Sequence, residues 1–129
     1  MAKRLLVTDD AEIMREIIKD AATEAGWEVV GTATNGQEAV EKYKELRPDV
    51  VTLDLVMPEF DGLHALRGIL GEDPNATVLV VRALDQRNVL KEAFKTGATD
   101  FLVKPFDKAQ LISALNTHGE KKEKAAATC

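Results

Sequence analysis

The sequence has almost no cysteine and no long hydrophobic run. Its single cysteine, Cys129, is the last residue, so no intramolecular disulfide can form. Chain ends are usually poorly ordered, and we therefore assign this thiol no redox or anchoring role. No apolar stretch approaches the length of a membrane span, and the N-terminal residues lack the apolar region of a secretory signal. We expect a cytoplasmic protein that does not associate with membranes.

Positive charge is also in short supply. The chain has 17 Lys and Arg residues against 22 Asp and Glu residues, which gives a formal net charge of −5. This balance argues against binding to nucleic acid or to anionic membrane surfaces through bulk charge. The 129 residues, 45% of them hydrophobic, are enough for one globular domain with its own core. We assign residues 1–118 to that domain and residues 119–129 to a polar, frayed tail.

Strand-like and helical patterns alternate along the chain. Short β-rich runs cover residues 4–8, 28–33, 49–53, 77–82 and 100–103. Apolar residues recur at helical spacing between these runs, and Asn35 and Asp107 stand where helix caps are expected. Five such units predict an α/β fold of the doubly wound (βα)5 kind, a five-stranded parallel sheet with helices on both faces.

The first helical segment carries apolar residues at a spacing of four. Ile13, Ile17, Ala21 and Ala25 recur every four residues, which predicts a helix. Gly26 then supplies a stop signal for the helix.

Acidic residues stand where two of the strand-like runs end. Asp9 and Asp10 follow the first run, and Asp54 follows the third. Ligands of open parallel sheets bind beyond the carboxyl ends of the strands, so we expect these three carboxylates to form one site. Such carboxylates repel one another unless a cation joins them, and hard oxygen ligands suit Mg²⁺. Lys104, after the fifth run, would bring an ammonium group to the same edge.

Each of these residues also has a purely structural interpretation. Asp9 or Asp10 could cap the helix that follows. Asp54 could be a turn residue, although a carboxylate after a buried strand is costly unless it is paired. Lys104 alone would be a solvated charge. The occurrence of all four at strand ends favours a functional site.

The chain resembles the two-component response-regulator receiver domain, and in particular its stand-alone chemotaxis (CheY-like) type. The resemblance covers roughly residues 3–118 and implies a flavodoxin-like sheet with strand order 2-1-3-4-5. The Ile-Met-Arg segment after the acidic pair points to the chemotaxis type. The matching segments are Val-Thr-Asp-Asp at 7–10, Asp-Leu-Val-Met-Pro at 54–58 followed by Asp-Gly at 61–62, and Gly-Ala-Thr-Asp-Phe-Leu-Val-Lys-Pro-Phe at 97–106.

The resemblance implies a chemistry for the acidic residues. Asp54 would be the nucleophile that accepts a phosphoryl group, and Lys104 would pair with it when no phosphate is bound. Asp10 and Asp54 would hold Mg²⁺, Asp9 would act through water, and the backbone carbonyl of Val56 would supply a further ligand. The protein would be a regulatory phosphoacceptor that assists its own phosphorylation and dephosphorylation, and not an enzyme.

The resemblance also implies partners. A histidine kinase would donate the phosphoryl group, and a downstream protein would bind the face formed by the fourth helix, fifth strand and fifth helix. Phe101 occupies the position of the aromatic switch residue on that face. No DNA-binding or enzymatic domain follows residue 118, so we expect output through another protein.

One position departs from the receiver pattern. Receivers carry Ser or Thr at the end of the fourth strand, whereas this chain has Arg82 and no Ser or Thr between Val78 and Thr96. Arginine is permanently charged and has no acceptor. Its guanidinium could bond Asp54 or the phosphoryl group, or it could extend into solvent and leave the switch impaired. The alternative function is therefore a phosphorylation-impaired interaction module.

Two enzymatic or cofactor-binding classes are disfavoured by single positions. Haloacid-dehalogenase-like phosphatases place a second Asp two residues after the nucleophile, where this chain has Val56. A flavin-binding flavodoxin needs a phosphate-cradling loop after the first strand, where Asp9 and Asp10 would repel phosphate.

Overall fold

The secondary structure alternates regularly from strand to helix. A computed structural model describes residues 3–55, 62–82, 87–104 and 106–128, and its side chains are described at all of these except 82, 87–90 and 119–128. The elements are β1 (Arg4–Thr8), α1 (Glu12–Glu24), β2 (Glu28–Ala33), α2 (Gly36–Leu46), β3 (Val50–Asp54), α3 (Gly62–Glu72), β4 (Val78–Arg82), α4 (Arg87–Thr96), β5 (Asp100–Val103) and α5 (Lys108–Thr128).

The five strands form one parallel sheet. Their order is β2-β1-β3-β4-β5, which confirms the predicted fold class and strand order. The register places Asp54 beside Val81 and Arg82 beside Val103. The strand bounds agree with the sequence prediction to within one residue. Strands β3 and β4 have the nearly continuous apolar runs that are typical of strands covered on both faces.

Side chains of successive strand residues enter two different cores. On β1, Leu6 joins the core under α2, α3 and α4, whereas Leu5 and Val7 join the core under α1 and α5. On β3, Leu53 belongs to the first core and Val50 to the second. Burial of each such aliphatic side chain contributes about 1.5–3 kcal/mol. The two cores pack against opposite faces of the sheet and hold its strands in place.

The buried face of α1 includes only part of the apolar residues that recur every four positions. Ile13 and Ile17 are 73% and 47% exposed, whereas Ile18, Ala21 and Ala22 are buried. A strict spacing of four drifts by about 40° per step around a helix of 3.6 residues per turn, so Ile13 and Ala25 cannot share one face. The recurring apolar residues predicted the helix correctly, but its buried face follows the 18, 21, 22 pattern.

Two of the predicted helix caps are present. Asn35 Oδ1 accepts a 2.9 Å hydrogen bond from the Glu38 amide at the start of α2. Asp107 Oδ1 accepts from the Gln110 amide at 2.8 Å, and Gln110 Oε1 accepts from the Asp107 amide at 2.9 Å. This reciprocal pair is a capping box, and it fixes the start of α5 directly after the Lys104 loop.

Helix α5 is tied to the rest of the fold by polar contacts as well as by its core residues. Trp27 Nε1 donates to Asn116 Oδ1 at 3.2 Å, and Lys108 pairs with Glu24 of α1. The helix continues in the structure to Thr128. The domain boundary at residue 118 and the frayed tail of residues 119–129 stay predictions. None of the described helices combines the length and apolar character that crossing a membrane requires.

Candidate functional site

Three carboxylates meet at the carboxyl edge of the sheet. Asp54 is the last residue of β3, and Asp9 and Asp10 follow directly after the neighbouring strand β1. One oxygen from each of the three lies within 4.8 Å of the other two. Asp9 and Asp54 are buried, whereas Asp10 is exposed to solvent. The sequence therefore predicted correctly which side chains come together.

The backbone after β1 directs Asp9 inward. The Asp9 amide donates to the Ala33 carbonyl at 3.1 Å, which extends the pairing of β1 with β2 by one residue. Asp9 Oδ1 then accepts from the Ala11 amide at 2.9 Å. Helix α1 begins with Ala11 at its N-cap position and has no side-chain cap bond. Asp9 therefore bonds the amide of the N-cap residue but does not itself occupy the N-cap position.

Lys104 supplies a positive charge to this cluster. Its Nζ lies 3.0 Å from Asp9 Oδ2 and 3.7 Å from Asp54 Oδ2. Contact with Asp54 was predicted, and the shorter contact with Asp9 was not. Asp9 is 1% exposed, and a carboxylate buried to that extent requires a charged or hydrogen-bonding partner.

The donor set suits a hard divalent cation. Asp9, Asp10 and Asp54 offer carboxylate oxygens in one small volume, and one of the three faces solvent, where Mg²⁺ can keep several of its waters. Among the described side chains, Lys104 brings one positive charge to these three formal negative charges. Two further positive charges would offset the remaining repulsion between the carboxylates.

Two predicted site features lie outside the described part of the chain. Val56, whose carbonyl the receiver resemblance makes a metal ligand, falls between the described ranges. Arg82 ends β4 at the same edge as Asp54, but its side chain is among those not described. A contact of its guanidinium with Asp54 or with a phosphoryl group therefore stays a prediction.

The aromatic residue singled out on β5 lies on the surface. Phe101 is 37% exposed and packs edge-to-face against Phe94 of α4, with ring centroids 6.0 Å apart and an interplanar angle of 87°. Phe94 is itself 41% exposed, so it belongs to this surface pair and not to the core under α4. The two rings form an apolar patch that connects α4 with β5.

Sequence reasoning missed a role for Arg15. Arg15 Nη1 donates a 2.7 Å hydrogen bond to the main-chain carbonyl of Asp9. The charge of Arg15 also acts on Glu38 of α2. The pKa of Glu38 is lowered mainly by hydrogen bonds from Thr34, and the charges of Lys42 and Arg15 lower it further. The only sequence signal was an arginine one turn into the helix that follows the acidic pair.

Comparisons with known proteins agree with this geometry. The family model of the response regulator receiver domain matches residues 5–116. The chemotaxis protein CheY of Thermotoga maritima is 53% identical over 116 residues, which cover 90% of this chain and 97% of that protein. The chemotaxis protein CheY of Bacillus subtilis is 47% identical over 116 residues, with the same coverage of both chains.

Solved structures show the same architecture. The receiver domain of AraT, a response regulator from Geobacillus stearothermophilus, superposes with a TM-score of 0.89 at 33% identity and covers 98% of this chain and 99% of its own. CheY in the CheX-CheY-BeF3-Mg²⁺ complex from Borrelia burgdorferi superposes with a TM-score of 0.83 at 34% identity. That match covers 89% of this chain and 88% of the other.

Proposed function

This chain belongs to the response regulator receiver family, whose members are phosphoacceptor signalling proteins, and we propose that Asp54 is the residue that accepts the phosphoryl group. The observation that carries the assignment is the position of Asp54. Its carboxylate is buried at the end of β3, with Lys104 Nζ at 3.7 Å and the carboxylates of Asp9 and Asp10 beside it.

The transfer itself requires little beyond positioning and charge. A carboxylate oxygen of Asp54 would attack phosphorus, and the bond from phosphorus to the donor's nitrogen or oxygen would break as the donor leaves with its electron pair. The phosphoryl oxygens carry the developing charge. Lys104, already 3.7 Å from Asp54 Oδ2, would pair with one of these oxygens once the carboxylate has reacted.

We further propose that Asp9, Asp10 and Asp54 hold Mg²⁺. When bound, the ion would neutralise charge on the transferring group. The family resemblance adds the Val56 carbonyl to this set. The relative from Borrelia burgdorferi was solved as a complex with Mg²⁺ and BeF3, which supports the assignment by analogy.

Signalling would proceed through protein partners. A histidine kinase would supply the phosphoryl group, and a downstream protein would bind the face of α4, β5 and α5. The exposed pair of Phe94 and Phe101 lies on that face. Curated relatives that are chemotaxis proteins, together with the Borrelia burgdorferi complex of CheY with CheX, support a chemotaxis pathway and a protein output.

The phosphoacceptor assignment can be tested by intact-protein mass spectrometry. The protein is treated with acetyl phosphate and Mg²⁺, and we expect the native chain to gain one hydroxylamine-sensitive phosphoryl group. Asp54→Asn should gain none, whereas Asp20→Asn, an exposed control on α1, should react as the native chain does. Equal phosphorylation of Asp54→Asn would refute the assignment. A native chain that stays unmodified would favour the phosphorylation-impaired alternative.

A further inference from the structure

Arg15 makes an unusual contact beside the acidic cluster. It lies in the first turns of α1, and its side chain reaches back over the loop to the Asp9 carbonyl, with Nη1 at 2.7 Å from the oxygen. A hydrogen bond from a charged donor is stronger than one between neutral groups. The guanidinium thus binds the main chain at the base of the acidic pair and uses none of the carboxylate oxygens in doing so.

All four polar groups of Asp9 are held in place. Its amide bonds the Ala33 carbonyl, Oδ1 accepts from the Ala11 amide, and Oδ2 pairs with Lys104. The remaining group is the carbonyl, which Arg15 binds. This carbonyl belongs to the planar peptide that links Asp9 to Asp10, so the orientation of that peptide is fixed by Arg15.

Asp10 depends on this peptide more than its neighbours do. Asp54 is placed by β3, and Asp9 is buried and bonded on every side. Asp10 lies in the loop between β1 and α1 and is exposed to solvent. A rotation of the Asp9–Asp10 peptide would swing the Asp10 carboxylate relative to the other two.

We propose that Arg15 is a positioning residue that locks the Asp9–Asp10 peptide and keeps the Asp10 carboxylate directed at the cation site. The inference rests on the proposed Mg²⁺ site and adds a residue outside its ligand set. Residues that orient a metal ligand typically affect metal affinity by about 10–100-fold. We expect a smaller effect here, about three- to tenfold, because Mg²⁺ keeps several waters and depends less on each protein ligand.

The sign of the effect separates positioning from simple charge. A guanidinium near the site repels a divalent cation, so its removal would strengthen Mg²⁺ binding if charge alone mattered. Loss of positioning would weaken binding instead. Arg15→Met removes both the charge and the hydrogen bond, whereas Arg15→Lys keeps the charge and a donor. Lys19→Met is a matched control, since it removes one positive charge from the same helix at a half-exposed residue paired with Glu16 at 3.7 Å.

Two NMR measurements on the intact chain test the proposal. In metal-free protein, hydrogen exchange of the Ala11 amide, which bonds Asp9 Oδ1, should be about fivefold faster in Arg15→Met, as expected for the loss of one hydrogen bond in the loop. In a titration with MgCl₂, Arg15→Met should bind about three- to tenfold more weakly. Arg15→Lys should stay within about twofold of the native chain in both measurements. Lys19→Met should give the same values as the native chain.

The outcomes are distinct. Tighter Mg²⁺ binding by Arg15→Met, unchanged exchange and affinity, or an equal effect of Lys19→Met would each overturn the positioning role. If the native chain shows no Mg²⁺-dependent shifts, the metal site fails, while the metal-free exchange rates still decide whether Arg15 orders the loop. If Arg15→Met does not fold, Arg15→Gln, which is neutral and shorter, replaces it in the same measurements.

Discussion

Lys104 balances two buried carboxylates with one ammonium group. Its contacts with Asp9 at 3.0 Å and Asp54 at 3.7 Å place a flexible, partly exposed side chain over residues that are almost inaccessible to water. This geometry lets one ammonium group contact both buried carboxylates at the same time. It also implies that this lysine stabilises the fold in addition to any role in phosphoryl transfer.

We expect Lys104→Met to lower the free energy of unfolding by about 1–3 kcal/mol in metal-free buffer, since it removes the ammonium group that contacts two buried carboxylates. Millimolar Mg²⁺ should recover part of the loss, because a bound cation stabilises the folded state by mass action. The measurement is urea unfolding followed by the fluorescence of Trp27. Lys108→Met is the control, and its pair with Glu24 is exposed, so only about 0–1 kcal/mol should be lost. An equal loss in both variants would contradict the prediction.

Arg82 stands where the receiver resemblance leads us to expect Ser or Thr. Its backbone ends β4 beside Val103, at the edge that carries Asp54. A guanidinium that bonds Asp54 would occupy lone pairs that the nucleophile needs and would compete with Mg²⁺. We therefore predict faster phosphorylation by acetyl phosphate in Arg82→Ser than in the native chain. Arg82→Ala separates removal of the charge from gain of a hydroxyl, and equal rates in all three proteins would show that Arg82 plays no part.

At the scale of elements, the strands were predictable and the orientation of one helix was not. Strands β3 and β4 are apolar throughout because helices cover both faces, so their bounds and the acidic residue that ends β3 could be recognised directly. The repeat of four on α1 indicates a helix but not its buried face, because contacts with the sheet and with α5 decide which residues are buried. The bond from Arg15 to a main-chain carbonyl escaped prediction because such contacts leave no pattern of side-chain types.

The observed orientation of α1 can be tested by two truncations of the same residue type. Ile18→Ala should lower the free energy of unfolding by about 2–5 kcal/mol, since Ile18 is buried in the core under α1 and α5. Ile13→Ala, at a residue that is 73% exposed, should change it by less than about 0.5 kcal/mol. Both are measured by urea unfolding of the purified variants. A larger loss for Ile13→Ala than for Ile18→Ala would contradict the burial of these two residues in the structure.

At the scale of the whole molecule, the site exists only when the complete sheet has formed. The contact between Asp9 and Lys104 joins residues separated by 95 positions, and it links the segments that follow β1 and β5. Because the cluster draws on β1, β3 and β5, local opening of one edge of the sheet removes part of the site. Ligand binding and global stability should therefore change together.

A second polar contact joins α2 to the residue that follows α3. We expect it to make the free energy of unfolding decrease as the pH becomes alkaline. The Tyr43 hydroxyl donates to Asp73 Oδ2 at 2.8 Å. Burial raises the pKa of Tyr43 above its ordinary value of 10.0, and the hydrogen bond and negative charge of Asp73 raise it further. In the unfolded chain the phenol ionises near pH 10, whereas in the folded protein it stays protonated to higher pH. The stabilisation that comes from keeping Tyr43 protonated in the folded protein is therefore complete below pH 10. It is lost as the pH rises above 10.

Tyr43→Phe isolates this effect from the titration of lysines, which are present in both proteins. At about pH 8 the variant should be less stable by about 0.5–1.5 kcal/mol, because it loses the hydrogen bond to Asp73. Between about pH 8 and pH 11 the difference should shrink by about 1 kcal/mol, since only the native chain has a tyrosine whose ionisation favours unfolding. Urea unfolding with Trp27 fluorescence at the two pH values measures both quantities. If the difference between the two proteins is the same at both pH values, Tyr43 has an ordinary pKa and its burial with Asp73 does not govern alkaline stability.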